Sequence, residues 1–142
     1  MARGLPDYFK ETRPRFGGAQ DKSSYNIVTA NDETILATIT GKGVIYGGFI
    51  KLKHTATQKN SGIFVYVDEE KLGVTDFEDL ELHGLTVENS YPFYLRKYDD
   101  VNFRYCVALS RDITFETKLE ISYVETHGET PKVWYRVIYA LI

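Results

Sequence analysis

The last third of the chain, Val101 to Ile142, constrains the fold more than any other stretch, because its apolar residues recur at every second position. Ile113, Phe115, Leu119, Ile121 and Tyr123 share one parity, while Thr114, Glu116, Lys118, Glu120 and Ser122 share the other. An extended chain points alternate side chains to opposite faces, so this period predicts half-buried antiparallel strands. In the closing run from Lys132 to Ile142, Val133, Tyr135, Val137, Tyr139 and Leu141 fall on one face, and Trp134, Ile138, Ala140 and Ile142 on the other. A strand apolar on both faces calls for cover on both, from its own domain or from a neighbouring subunit. Trp134, Ile138, Ala140 and Ile142 are therefore candidate subunit-interface residues.

The same alternation runs upstream. Strands are expected from Tyr25 to Ala30, Glu33 to Thr40, Val44 to His54 and Ser61 to Asp68, and an extended aromatic run from Tyr91 to Tyr98. Turns are expected at Asn31-Asp32, Gly41-Lys42-Gly43, Asp68 to Glu70 and Asp99-Asp100. Gly47-Gly48, inside a strand, marks a bulge, a bend or a close approach of another backbone. One short helix is predicted from Asp76 to His83. Thr75 and Glu78 form a capping box, Phe77 and Leu80 face inward, and Gly84 sits where a helix end favours a left-handed residue.

Eight or nine short strands with no long helix between them exclude a doubly wound α/β fold. At 142 residues the chain has the length of one domain with a core of its own. The expected fold is all-β, a two-sheet antiparallel jelly-roll sandwich of about eight strands with one short helix. An immunoglobulin-type sandwich is the alternative, weakened by the single cysteine and by the chain length. Residues 25–142 would form the β domain and residues 1–24 an extended N-terminal arm.

That arm has its own composition. Arg3, Lys10, Arg13, Arg15 and Lys22 outnumber Asp7, Glu11 and Asp21, and Pro6, Pro14, Gly17 and Gly18 interrupt any period. Leu5, Tyr8, Phe9 and Phe16 supply apolar anchors that a solvated tail would not need. They suit packing against the arm's own domain or docking on a partner. A formal net charge of -3 argues against a surface devoted to nucleic acid. The absence of an apolar run long enough to span a bilayer, or of a signal core, argues against a membrane partner or secretion by a signal peptide.

The search for chemistry returns little. Asp68-Glu69-Glu70, Asp76 with Glu78 and Asp79, and Asp99-Asp100 lie at turns or at the helix start, where carboxylates cap backbone amides. Asp99, Asp100 and Asn102 lack the spacing of a calcium loop. His54, His83 and His127 are far apart, and Cys106 lies in an alternating strand as a small buried hydrophobe. No nucleophile elbow or phosphate-cradling loop is present. No catalytic residue, metal site or cofactor is expected. Eleven tyrosines are nonetheless many, and they suit surfaces that are wet alone and covered in an assembly.

The order Ile63 to Glu70, then Phe77-Glu78-Asp79-Leu80, then Tyr91-Pro92-Phe93, then Val101 to Leu109, closing with Val133 to Tyr139, resembles one unit of the double-jelly-roll fold. Certain viral capsid proteins and the fructofuranosidase-type glycoside hydrolases share that fold. Those hydrolases need two units, so the resemblance carries over no catalytic residue. The opening Gly4-Leu5-Pro6-Asp7-Tyr8-Phe9 before a compact β domain is also similar to small phage virion proteins, in which an arm attaches a trimeric jelly roll to the particle. The resemblance implies a virion structural protein, a homo-oligomeric subunit, trimeric in that class, that assembles in a host cytoplasm. It would bind major capsid or other virion proteins through its arm. The alternative is a carbohydrate-binding or receptor-binding module with Tyr91, Tyr94, Tyr98 or Trp134 as stacking platforms. A glycoside hydrolase, with two carboxylates facing across a cleft, is the third reading.

Overall fold

The computed structural model describes residues 18–88 and 91–142. Along the chain run β1 (Gln20–Ile27), β2 (Glu33–Thr40), β3 (Gly43–Lys53), β4 (Gly62–Val67), β5 (Glu70–Asp76), helix α1 (Phe77–Leu82), β6 (Phe93–Asp99), β7 (Arg104–Leu109), the two-residue β8 (Thr114–Phe115), β9 (Lys118–Val124) and β10 (Lys132–Leu141). One sheet has the order β1-β10-β3-β7-β6, with β8 also on β3, and the other β2-β9-β4-β5.

The pairings β1 with β10, β2 with β9, β3 with β7 and β4 with β5 are the successive rungs of one long antiparallel hairpin. Folding that hairpin over itself brings β10 against β3 and β9 against β4, which closes the two sheets. This is the jelly-roll order, with β6 added outside β7.

Between the sheets the odd-even pattern is realised as burial. Ile45, Ile50, Ile63, Val65, Val107, Leu119, Ile121 and Val133 are all buried. Helix α1 plugs one end of the sandwich. Phe77 stacks on Tyr105 at 4.9 Å between ring centroids and lies 6.5 Å from Tyr123, and all three are buried. Burying an aromatic of this size contributes roughly 2–3 kcal/mol. The helix cap differs from the capping-box expectation. Asp76, not Thr75, is the N-cap, and its carboxylate accepts the Asp79 N–H at 2.7 Å. Gly84 has φ 65°, the left-handed conformation expected of it.

The closing strand keeps its alternation, and the irregularity lies on its neighbour. The register steps from Ile138 opposite Gly47 to Tyr139 opposite Ile45, a bulge that leaves Tyr46 unpaired and reverses the facing of β3, so that Ile50 and Ile45 are both core. On β10, Val133, Tyr135 and Val137 lie in the core and Tyr139 and Leu141 pack against it. Ala140 pairs with Val44 on the face of Trp134 and Ile138 and is buried there. The bulge rests on the glycine pair: a Cβ on Gly48, at φ 151°, would lie 2.1 Å from the Arg136 carbonyl oxygen, whereas one on Gly47 would meet nothing within 4 Å.

Three boundaries also differ from the sequence reading. β1 begins at Gln20, so residues 20–24, expected in the arm, are sheet. β5, unrecognised in a stretch as mixed as Glu70-Lys71-Leu72-Gly73, completes a hairpin whose turn residues Asp68 and Glu69 have φ 52° and 73°. β7 starts only at Arg104, because Phe103 takes φ 56°.

The carboxylates at the loop ends are structural acceptors. Asp68 takes the backbone N–H groups of Glu116, Thr117 and Lys118, which hold its carboxyl far below the usual carboxylate range. Asp99 takes N–H groups from Val101 and Asn102 and the Asn102 amide, which lower it to about 2. Glu125 is buried, which alone would raise its carboxyl. The Asn31 N–H at 3.0 Å, the Gln58 amide at 2.7 Å and the His127 N–H at 2.9 Å more than offset that and hold it low. Gln58 in turn accepts from the Ser61 and Tyr123 hydroxyls, so this polar cluster is satisfied throughout.

Two outcomes follow for stability. Gly47→Ala should cost about 1–2 kcal/mol from backbone strain alone, and Gly48→Ala clearly more because β10 must move away. Equal losses in urea unfolding would show that β10 does not press on Gly48. Because Asp68, Asp99 and Glu125 have depressed folded pKa values, the unfolded chain binds more protons in acid. Their stabilisation is present above roughly pH 5 and is lost as pH falls towards about 2. Thermal melts should show the midpoint falling over that window, with a smaller fall in Glu125→Gln, and an unchanged midpoint would contradict the assignment.

Candidate functional site

Strand register sets the site on the outer face of the larger sheet. Tyr25, Trp134, Lys51, Cys106 and Lys97 are direct partners across β1, β10, β3, β7 and β6. In the next outward-facing row, towards the strand ends, lie Ile27, Lys132, Lys53 and Arg104. Neighbouring strands are about 4.8 Å apart and alternate residues about 7 Å, so these side chains crowd into one small area. Between them is a groove of about 380 Å³, lined by the five cations Lys51, Lys53, Lys97, Arg104 and Lys132 together with Trp134 and Cys106.

No carboxylate lines this groove. Among the described residues, none of its five cations makes an ion pair. Cations elsewhere do: Lys42 with Glu116, Lys59 with Glu78, Arg111 with Glu88, Lys118 with Glu69 and Glu120, and Arg136 with Asp21. Asp99, opposite Arg104 in register and two residues from Lys97, helps offset the charge nearby but turns its carboxylate onto the backbone of the turn it caps. Like charges held together repel, and no ion pair offsets that repulsion.

Beside the cations stands an aromatic pair. Tyr25 and Trp134 have centroids 4.8 Å apart and planes tilted by 50°, and remain 44% and 41% exposed. Lys132 Nζ lies 3.9 Å from the Tyr25 ring centre and 4.8 Å from that of Trp134, a cation–π arrangement that fixes the lysine on the groove's rim. Trp134 and Lys51 also line an adjoining depression of about 460 Å³ with Phe49 and Arg136, so the indole forms the ridge between two hollows.

The residues singled out in the sequence are dispersed. Trp134 is on this face, and so are Ile138, half-buried beyond Arg136, and Tyr94, half-buried on β6. Ile142 is exposed past the end of β10, and Ala140 is buried. Tyr98 turns inward against Tyr105 at 5.7 Å, because a bulge between Leu95 and Lys97 reverses the facing of β6. Tyr91 lies outside the sheet and exchanges hydrogen bonds with the Val74 N–H and carbonyl. The three tyrosines therefore form no common platform. Leu5, Tyr8, Phe9 and Phe16 lie outside the described residues. Tyr25 and the five cations went unrecognised in the sequence. Lys51 and Lys53 are two apart, a spacing that could have shown one charged face, but the rest meet only through strand pairing.

Among the described residues, the neighbouring carboxylates and histidines are engaged in structural pairs. Glu78 and Asp100 both contact Lys59, at 3.4 and 3.9 Å. Burial would raise the Asp100 carboxyl, but the Thr57 and Tyr105 hydroxyls and Lys59 hold it below its ordinary value, the opposite of what a general acid requires. His54 pairs with Glu129 at 3.4 Å, and His127 accepts the Asn60 N–H. Burial pushes the Cys106 thiol up, against the pull of Lys51 and Arg96. Among the described residues no three His, Cys, Asp or Glu groups converge to hold a metal ion. No helix among them is long and apolar enough to cross a membrane.

No protein-family model matches the chain, and no curated protein does. Among solved structures, the catalytic domain of a GH87 α-1,3-glucanase, a D1045A variant in complex with nigerose, superposes with a TM-score of 0.35 and 11% identity over 84% of this chain. This chain spans 22% of that one.

Proposed function

We propose that this chain is a non-catalytic sugar-binding module that uses the outer face of its larger sheet to hold a glycan. One observation carries the reading: an exposed Trp134, packed against Tyr25, lines a groove whose cations form no ion pair among the described residues. Flat aromatic surface suits the apolar faces of sugar rings, and long polar side chains at its edge suit their hydroxyl groups. The jelly-roll order is one that lectin domains use. Trp134 is the sole tryptophan, so its fluorescence reports the site directly. Oligosaccharides should quench or shift that emission in a saturable way, and Trp134→Phe with Tyr25→Ala should weaken binding, measured by calorimetry, about tenfold or more. A glycan panel that leaves the emission unchanged and releases no heat would sink the reading.

A virion-subunit reading is favoured by different observations, the jelly-roll order that capsid proteins also use and the exposure of Ile142 with outward-facing Ile138. In that reading the chain is a homo-oligomeric attachment subunit, most simply a trimer, and these apolar positions meet a neighbour around the symmetry axis. Light scattering should then give a mass that is a multiple of 16.3 kDa and that falls in Ile138→Asp. A monomer at high concentration would rule it out.

A further inference from the structure

We infer that the glycan taken up by this groove is anionic, carrying carboxylate or sulfate groups, an inference that rests on the sugar-binding reading and specifies its ligand. Lys51, Lys53, Lys97, Arg104 and Lys132 project from four neighbouring strands into one hollow, and among the described residues none of them forms an ion pair. A neutral sugar needs hydrogen-bond donors and acceptors in a mixed set. This lining has charged donors and almost no polar acceptor, a composition suited to oxygen-rich anions. Arg104 offers a planar fork for a carboxylate or sulfate, and the lysines act as point charges around it.

The extent of the patch sets the ligand's size. The cations span about three strand spacings by one alternate-residue step, roughly 15 by 7 Å. That is room for a short oligosaccharide bearing a few anionic groups. The chain as a whole is net negative at -3, so the surface beyond the patch is acidic on balance. A long phosphate backbone would run off the patch onto surface that repels it. The N-terminal arm is no better an occupant, since Arg3, Lys10, Arg13 and Arg15 outnumber Asp7 and Glu11.

The test titrates the full chain, followed by Trp134 fluorescence and calorimetry, with four probes: a sulfated oligosaccharide, an oligogalacturonate, a neutral gluco-oligosaccharide and an oligothymidylate. One or both anionic glycans should bind more tightly than the neutral one, with affinity falling as salt rises. Lys51→Gln and Lys132→Gln should each weaken binding by about three- to tenfold. Neither lysine forms an ion pair among the described residues, and each gives up only an exposed contact with an aromatic ring, so the same variants should hold the melting temperature within a few degrees, which separates lost binding from lost structure. Tight, salt-insensitive binding of the neutral oligosaccharide, unchanged in the lysine variants, would overturn the anionic assignment and leave the sugar-binding reading intact. Failure of all three glycans would overturn both. Stronger binding of the oligothymidylate than of any glycan would reassign the face to single-stranded nucleic acid and overturn this proposal.

Discussion

Pairing of β10 along both of its edges, with β1 on one side and β3 on the other, is the interaction on which the rest of the structure depends. It forms the first rung of the long hairpin and also closes the larger sheet. Without the β3 edge the hairpin would remain an open ribbon with no enclosed core. The same double pairing builds the candidate site. Lys132 and Trp134 on β10 gain Tyr25 from one neighbour, and Lys51 and Lys53 from the other. Sequence distance is irrelevant to this assembly, since Tyr25 and Trp134 are brought together only because the two ends of the chain share a sheet.

The bulge is the local condition for that pairing. Strong right-handed twist and a change of facing are needed where a long strand follows the curve of a sandwich, and a bulge supplies both. Gly47 and Gly48 tolerate the backbone angles, and the absence of a Cβ on Gly48 lets β10 approach. Ile50 and Ile45, five residues apart on β3, therefore both lie in the core.

Charges divide into two populations with different roles. Acidic groups at loop ends are turned inward onto backbone N–H groups, as at Asp68, Asp99 and Glu125, and they tie the turns to the sheets. Cations on the sheet face receive no such partners. The net charge of the whole chain conceals this division, which is why a modestly acidic protein presents a strongly basic groove. Surfaces kept for a ligand commonly carry such uncompensated charge, since any internal partner would compete with the ligand.

Alternation was enough to predict an all-β sandwich, the inward face of β9, and the short helix with Phe77 and Leu80 beneath it, because those properties follow from local periodicity and from side-chain size. Gly84 and Gly47-Gly48 were legible for the same reason, as backbone positions that a side chain would strain. Periodicity could not show that a bulge on β6 separates Tyr94 from Tyr98. Nor could it show partners across strands. The larger sheet's outer face combines residues from five strands spread over more than a hundred positions, and its chemistry exists only once hydrogen-bond register has brought them side by side.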